Sequence, residues 1–183
     1  MDRDDIIQNV KAYGQRWPEE VDIAERFIAF LTSEPDAFNR ERSAGHVTGS
    51  AWVVNRAGTQ VLLTHHKKLG LWIQLGGHAD GDSDVVRVAR REAEEESGLM
   101  DLVQEDTGFF DIDVHRIPPY GREPEHFHWD FRTVFRAMGS HVFRLSEESH
   151  ELRWINIRRL QELTHEESML RMARKWLARS APV

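Results

Sequence analysis

Apolar positions recur at helical spacing near both ends of the chain and alternate through much of its middle. Ile6, Ile7, Val10 and Trp17 trace a first helical stripe, weakened by Gly14. Pro18-Glu19-Glu20 marks the next helix start, with proline in the first turn and acids near the positive dipole end. Val21, Ala24, Phe27, Ile28 and Leu31 supply its buried face, and Pro35 ends it. From His46 the period shortens to that of strands, over 47–55 and 60–65, joined by the hairpin loop Arg56-Ala57-Gly58-Thr59. A third apolar run over 71–75 stops at Gly76-Gly77. Residues 84–97 read as a helix, with Asp82 or Ser83 as N-cap and Gly98 as its stop. Strands are expected over 109–115, 126–137 and 151–157, and a last helix carries Leu170, Ala173, Trp176 and Leu177. Strands mixed with few helices, without regular alternation, predict an α+β fold or mixed-sheet sandwich rather than a doubly wound sheet.

Composition narrows the function classes. The 183 residues suffice for one domain with a substantial core. A net charge of −7 argues against a broad nucleic-acid surface, although a bound cation reopens the way to nucleotides. The absence of cysteine removes disulfides, thiolate metal sites and cysteine nucleophiles. The start Met1-Asp2-Arg3-Asp4-Asp5 lacks the basic and apolar pattern of a signal peptide, and the apolar cluster over 27–31 is too short to span a bilayer. A cytoplasmic protein without membrane or extended nucleic-acid partners is expected.

The chemistry concentrates in Arg91-Glu92-Ala93-Glu94-Glu95-Glu96-Ser97-Gly98-Leu99. On a helix, Glu92, Glu95 and Glu96 share one face as i, i+3 and i+4. Like charges at that spacing repel by roughly 0.2–0.5 kcal/mol per pair. The helix dipole also disfavours anions in the last turns. A cation offsets both effects, and oxygen ligands of this kind suit Mg²⁺ or Mn²⁺. An acidic helix face alone is more often solvated surface.

The wider pattern resembles the Nudix hydrolase family. Its signature is glycine, five residues, glutamate, seven residues, Arg-Glu, an aliphatic, any residue, Glu-Glu, any residue, glycine and an aliphatic. Gly77, Arg91, Glu92, Glu95, Glu96, Gly98 and Leu99 match, and Ala93 is a small apolar substitute. Six fixed residues would coincide by chance on the order of 10⁻⁷ per starting point. Ser83 departs from the family's glutamate. The lead-in over 71–78 and Glu151-Leu152-Arg153-Trp154 are also similar to family members, and the resemblance covers about residues 46–165.

The resemblance implies a Nudix-like α/β/α sandwich around a mixed β-sheet over 46–183, with residues 1–45 as a helical N-terminal extension packed on the core or in a homodimer interface. It implies hydrolysis of a phosphoric anhydride in a nucleoside diphosphate linked to another moiety, such as ADP-ribose, a nucleotide sugar or a nucleoside triphosphate. Glu92, Glu95 and Glu96 then hold Mg²⁺ or Mn²⁺, with a backbone carbonyl from Gly76 or Gly77. Arg91 orients a neighbouring carboxylate, and a further base comes from Glu147, Glu148 or Glu151. The alternative is a catalytically weak Nudix-like sensor that binds nucleotides, for which Ser83 is the support. An isomerase of related fold, acting on isopentenyl diphosphate, is disfavoured by the missing cysteine.

Other positions leave two readings open. Over 126–132, His126, His128, Asp130 and Arg132 share one strand face and Phe127, Trp129 and Phe131 the other, the aromatic one expected in the core. The polar face is either solvated or the wall of a substrate pocket, where His128 or Arg132 would contact phosphate. Trp72 is either core or a stacking surface for a base. His65-His66-Lys67-Lys68 reads first as a solvated basic turn, and His46 and His78 as hydrogen-bonded structural histidines. Arg171, Arg174, Lys175 and Arg179 suit a solvated helix face. Pro118-Pro119-Tyr120 is only a weak marker of substrate subgroup.

Overall fold

A computed structural model describes residues 1–41, 44–119, 121, 124–147 and 149–179. In chain order the elements are α1 (Arg3–Arg16), a 3₁₀ turn (Pro18–Glu20), α2 (Val21–Ser33), β1 (Gly45–Val54), β2 (Gln60–His66), β3 (Trp72–Ile73), β4 (Leu75–His78), α3 (Val85–Ser97), β5 (Leu102–Gln104), β6 (Asp111–Ile117), β7 (His126–Ala137), β8 (Ser149–Asn156), a 3₁₀ helix (Ile157–Glu162) and α4 (Glu167–Arg179). They divide into two compact units, to both of which β1, β4, β7 and α3 contribute residues.

The first unit holds Met1–Ser50, Gly76–Ala89 and Asp106–Thr133. Asp2 and Asp5 close a capping box at the start of α1, each side chain accepting from the other's backbone N–H at 2.9 and 3.1 Å. Arg3 donates to the Leu31 and Glu34 carbonyls at the end of α2, at 2.8 and 3.0 Å, where the helix dipole favours a cation. The stripes of both helices are buried: Ile6, Val10, Phe27 and Leu31 share one core with Val47, Val85, Val88, Ile112 and Phe131. Phe27 meets Phe131 and Trp129 edge-on, with centroids 4.9 and 5.2 Å apart. The N-terminal helices are therefore part of this unit's core.

Strand β4 pairs with β1, β1 lies beside β7, and β6 pairs antiparallel with β7, placing Asp111 opposite Arg132 and His115 opposite His128. Here the expected stop at Gly76-Gly77 is corrected, since β4 runs through both glycines to His78. Gly76 is required there because a Cβ would stand 2.3 Å from the Ser50 hydroxyl oxygen. The N-cap of α3 is Asp84, whose carboxylate accepts from Arg87 N at 3.2 Å, rather than Asp82 or Ser83. Asp82 instead accepts from the Asp84 amide and pairs with Arg87.

The second unit holds Ala51–Leu75, Arg90–Glu105 and Val134–Val183. The β1–β2 hairpin sets Val53 opposite Leu62, and the Asn55 side-chain carbonyl accepts from the Thr59 and Gln60 amides at 2.8 and 3.2 Å. Strand β2 also pairs with β3 and β8. Strand β5, too short to show a period, pairs with the end of β7. Gly98 ends α3 at φ 69°, its N–H donating to the Glu94 carbonyl at 2.8 Å. Helix α4 buries Met169, Met172 and Trp176, whose indole donates to the Gly58 carbonyl at 2.8 Å. Lys175 is 5% exposed and so does not belong to the solvated face expected for it.

Candidate functional site

The acidic face of α3 follows from helix geometry once Asp84 caps the helix and Gly98 stops it. Arg91 Nη2 lies 2.7 Å from Glu92 Oε1, so a planar guanidinium fixes one of the three carboxylates. Glu92 is half-buried, Glu95 is exposed and Glu96 is buried at 5% exposure. Three carboxylates on one helix face, one of them buried, favour a positive charge close by. The donors are all carboxylate oxygens, a set that fits a hard dication. Gly76 and Gly77 lie half-buried in β4 of the first unit, where close approach to Ser50 excludes any larger residue at 76. Ser83, at the family's glutamate position, donates its hydroxyl to the Met1 carbonyl at 2.9 Å.

The remaining expected positions fall into different environments. Trp72 is half-buried, stacked on His65 at 5.1 Å, with the Arg153 guanidinium 4.9 Å from its ring centre. Glu151, opposite His65 in the β2–β8 register, pairs with Arg153 at 2.6 Å. Glu147 is exposed, and Glu148 and Tyr120 lie outside the described residues. Lys67 at the basic turn donates to the Glu147 carbonyl at 2.5 Å.

The expectation of a phosphate contact from Arg132 is corrected. Arg132 is 2% exposed, and its donors go to Asp130 at 2.8 Å, Asp111 at 2.9 Å and Asp113 at 3.2 Å. Those carboxylates raise its pKa above the usual arginine value against the opposing effect of burial. Asp130 also accepts from Thr48 and Ser50 at 2.9 and 2.7 Å. This part of the polar face of β7 is neither solvated nor open to substrate. On the other face Phe127 is 41% exposed while Phe131 is fully buried, so the aromatic row leaves the core at its first member.

Further along the same face stands a group that brings His128 together with His46 and His78, two histidines that read in the sequence as isolated residues. His46 of β1, His78 of β4 and His128 of β7 place one ring nitrogen each within 4.8 Å of the others. Ring centroids are 4.9 Å apart for His46–His78, 4.8 Å for His46–His128 and 5.2 Å for His78–His128. His126 and His115 border the group, at 5.1 and 5.4 Å from His128. Burial, then the neighbouring histidines, push the His128 pKa down to about 2, so its ring is neutral at physiological pH. No local spacing connects His46, His78 and His128; only strand pairing does.

Fold and acidic helix together define a hydrolase of phosphoric anhydrides. A family model described as the NUDIX domain matches residues 44–176, and the chain belongs to that family, whose enzymes generally use divalent metal ions. Solved structures share the fold, a mixed sheet with helices on both sides. An Ap4A hydrolase from C. elegans is 17% identical, with 72% of this chain and 95% of that one covered and a TM-score of 0.55. A MutT protein from Methanosarcina mazei is also 17% identical, covering 77% and 99%, with a TM-score of 0.57. The NUDIX domain of Shewanella oneidensis NrtR, complexed with ADP-ribose, is 15% identical, covering 84% and 97%, with a TM-score of 0.51. No curated protein matches the chain significantly. Among the described residues, no helix is long and apolar enough to cross a membrane.

Proposed function

We propose that the chain is a cytoplasmic Mg²⁺- or Mn²⁺-dependent enzyme that hydrolyses the phosphoric anhydride of a nucleoside diphosphate linked to another moiety. The observation that carries this reading is the Arg91–Glu92 ion pair, 2.7 Å long, on the α3 face that also bears Glu95 and Glu96. Glu92, Glu95 and Glu96 would hold the cation, with a carbonyl of Gly76 or Gly77. The bound ion supplies charge neutralisation on the phosphate oxygens and activation of water. Arg91 limits the freedom of Glu92, which is what a ligand or proton acceptor needs to keep one geometry. Glu151 is a further candidate base, although it is held by Arg153, and Trp72 offers an aromatic surface to a nucleobase.

Substrates named for the similar structures, Ap4A and ADP-ribose, share a nucleoside with a phosphoric anhydride and set the first panel to try. The test is release of monophosphate or phosphate from Ap4A, ADP-ribose, nucleotide sugars and nucleoside triphosphates with either metal. Metal-dependent turnover of at least one supports the reading. Tight nucleotide binding without turnover of any would turn it towards a sensor.

A further inference from the structure

We propose that His46, His78 and His128, with His126 beside His128 as a fourth ligand, form a binding site for a borderline transition-metal dication, zinc above all, on the face of the sheet that also carries Arg132. The four residues come from the neighbouring strands β4, β1 and β7 of the first unit. Imidazole nitrogens are the ligands zinc prefers alongside thiolates, and four of them close a tetrahedral structural site. With metal–nitrogen bonds of about 2.0–2.1 Å, two ligands of a tetrahedral ion stand roughly 3.3 Å apart.

His126 Nε2 and His128 Nε2 are already 3.2 Å apart. The nitrogens of His46, His78 and His128, within 4.8 Å of one another, need to close by at most about 1.5 Å. His126 is also held in the form a ligand requires. Its Nδ1 lies 2.9 Å from the Pro124 carbonyl, which accepts only, so Nδ1 donates there and Nε2, turned towards His128, is the nitrogen placed to ligate. A ligating histidine that donates its second N–H to a backbone carbonyl is the usual outer-shell arrangement of metal sites.

The charge around the site points the same way. Asp111, Asp113 and Asp130 set three carboxylates against the one guanidinium of Arg132, a formal excess of two negative charges. That excess reaches the histidines through Asp113 Oδ2, 3.2 Å from His115 Nδ1, with His115 opposite His128 in the strand register. A dication held by the imidazoles balances it. Hard ions such as Mg²⁺ favour oxygen ligands and are better served by the carboxylates of α3.

The test uses the full chain without a polyhistidine tag, stripped by chelator and titrated with Co²⁺ while visible absorption is recorded. One equivalent should give the intense absorption of a tetrahedral nitrogen site, displaced by Zn²⁺. His78→Gln and His128→Gln should each weaken binding at least about 100-fold, since even outer-shell changes cost 10–100-fold. Glu95→Gln, on the acidic helix, should leave the absorption unchanged. Only weak octahedral absorption in the wild type overturns the proposal, as does absorption that survives in both histidine variants or disappears in Glu95→Gln. If a histidine variant fails to fold, the imidazole ¹⁵N resonances of the wild type decide: those of His46, His78, His126 and His128 shift with zinc, and their constancy overturns the site.

Discussion

Gly49 of β1 lies directly against the first turn of α3, so that a Cβ there would stand 2.7 Å from the Val85 carbonyl oxygen and 3.0 Å from Val88 Cγ1. The obstacle is largely helix backbone, which cannot step aside as a flexible side chain would. Gly49→Ala should therefore shift the start of α3 or strain β1, at a cost of about 1–3 kcal/mol. Because the glutamates of the proposed cation site ride on the same helix, the hydrolytic rate should fall at least about tenfold, misplacement of about 1 Å costing more than that elsewhere. Thermal melts and metal-dependent rates measure both effects. A variant with wild-type melting and wild-type rate would show that the helix is not held by this contact.

Arg132 provides a second test through its burial. Replacing it with methionine keeps much of the volume and leaves Asp111, Asp113 and Asp130 without their cation. Breaking a buried ion cluster from one side typically costs about 3–5 kcal/mol. Denaturant unfolding should show a loss in that range. A loss under about 1 kcal/mol would mean that the three carboxylates find other compensation.

Arg136 ties the end of β7 to the β1–β2 hairpin, donating to the Arg56 carbonyl at 2.8 Å and pairing with Glu105 at 2.6 Å. The hydrogen bond from Arg136 holds the Glu105 carboxyl below its ordinary value of 4.5. A carboxyl with a lowered folded pKa stabilises the fold above its unfolded pKa and loses that contribution as the pH falls through the folded one. Glu105→Gln should thus cost about 0.5–1 kcal/mol at pH 7, scaled for a partly exposed pair. The difference from wild type should shrink as the pH drops below 4.5. A gap independent of pH would assign the loss to packing rather than charge.

The periodic elements were legible because their side chains declare their own environment. The stripes of α1 and α2, the stop of α3 at Gly98 and the alternation in β7 are local consequences of helix and strand spacing. Residues whose surroundings are made by other segments were not legible. Arg132 on an alternating strand looks solvent-facing until β6 supplies Asp111 and Asp113 beside it. His46 and His78 are 32 positions apart and read as isolated until β4 pairs with β1. Gly76 and Gly77 looked like a strand end because glycine usually breaks strands, whereas here the missing side chain lets β4 pass Ser50.

Ser83 occupies the family's glutamate position and donates to the Met1 carbonyl across 2.9 Å. Ser83→Glu removes that hydrogen bond, worth about 0.5–1.5 kcal/mol net. If the remaining glutamates suffice, its activity should equal or exceed that of the wild type, with a melting temperature slightly lowered. Activity that arises only in the variant would instead assign the wild type to nucleotide binding without catalysis.

Glu95 and Glu96 stand on the same face of α3 in opposite environments, one exposed and the other at 5% exposure. Both Glu95→Gln and Glu96→Gln keep the size and remove a charge from the proposed cation site. Turnover in either variant should fall by about 10²–10³ or more, the scale of losing one group that stabilises transition-state charge. Their stabilities should diverge when metal is withheld. Glu96→Gln alters a buried side chain together with its contacts and should shift the melting temperature measurably. Glu95→Gln, solvated, should melt within about 0.5 kcal/mol of it. Saturating Mg²⁺ should raise the wild type and leave both variants nearly unmoved, because only a protein that binds the ion gains from it. Melting curves with and without Mg²⁺, read beside hydrolysis rates, decide the matter. If either variant keeps wild-type turnover and the wild-type response to Mg²⁺, its carboxylate does not hold the ion.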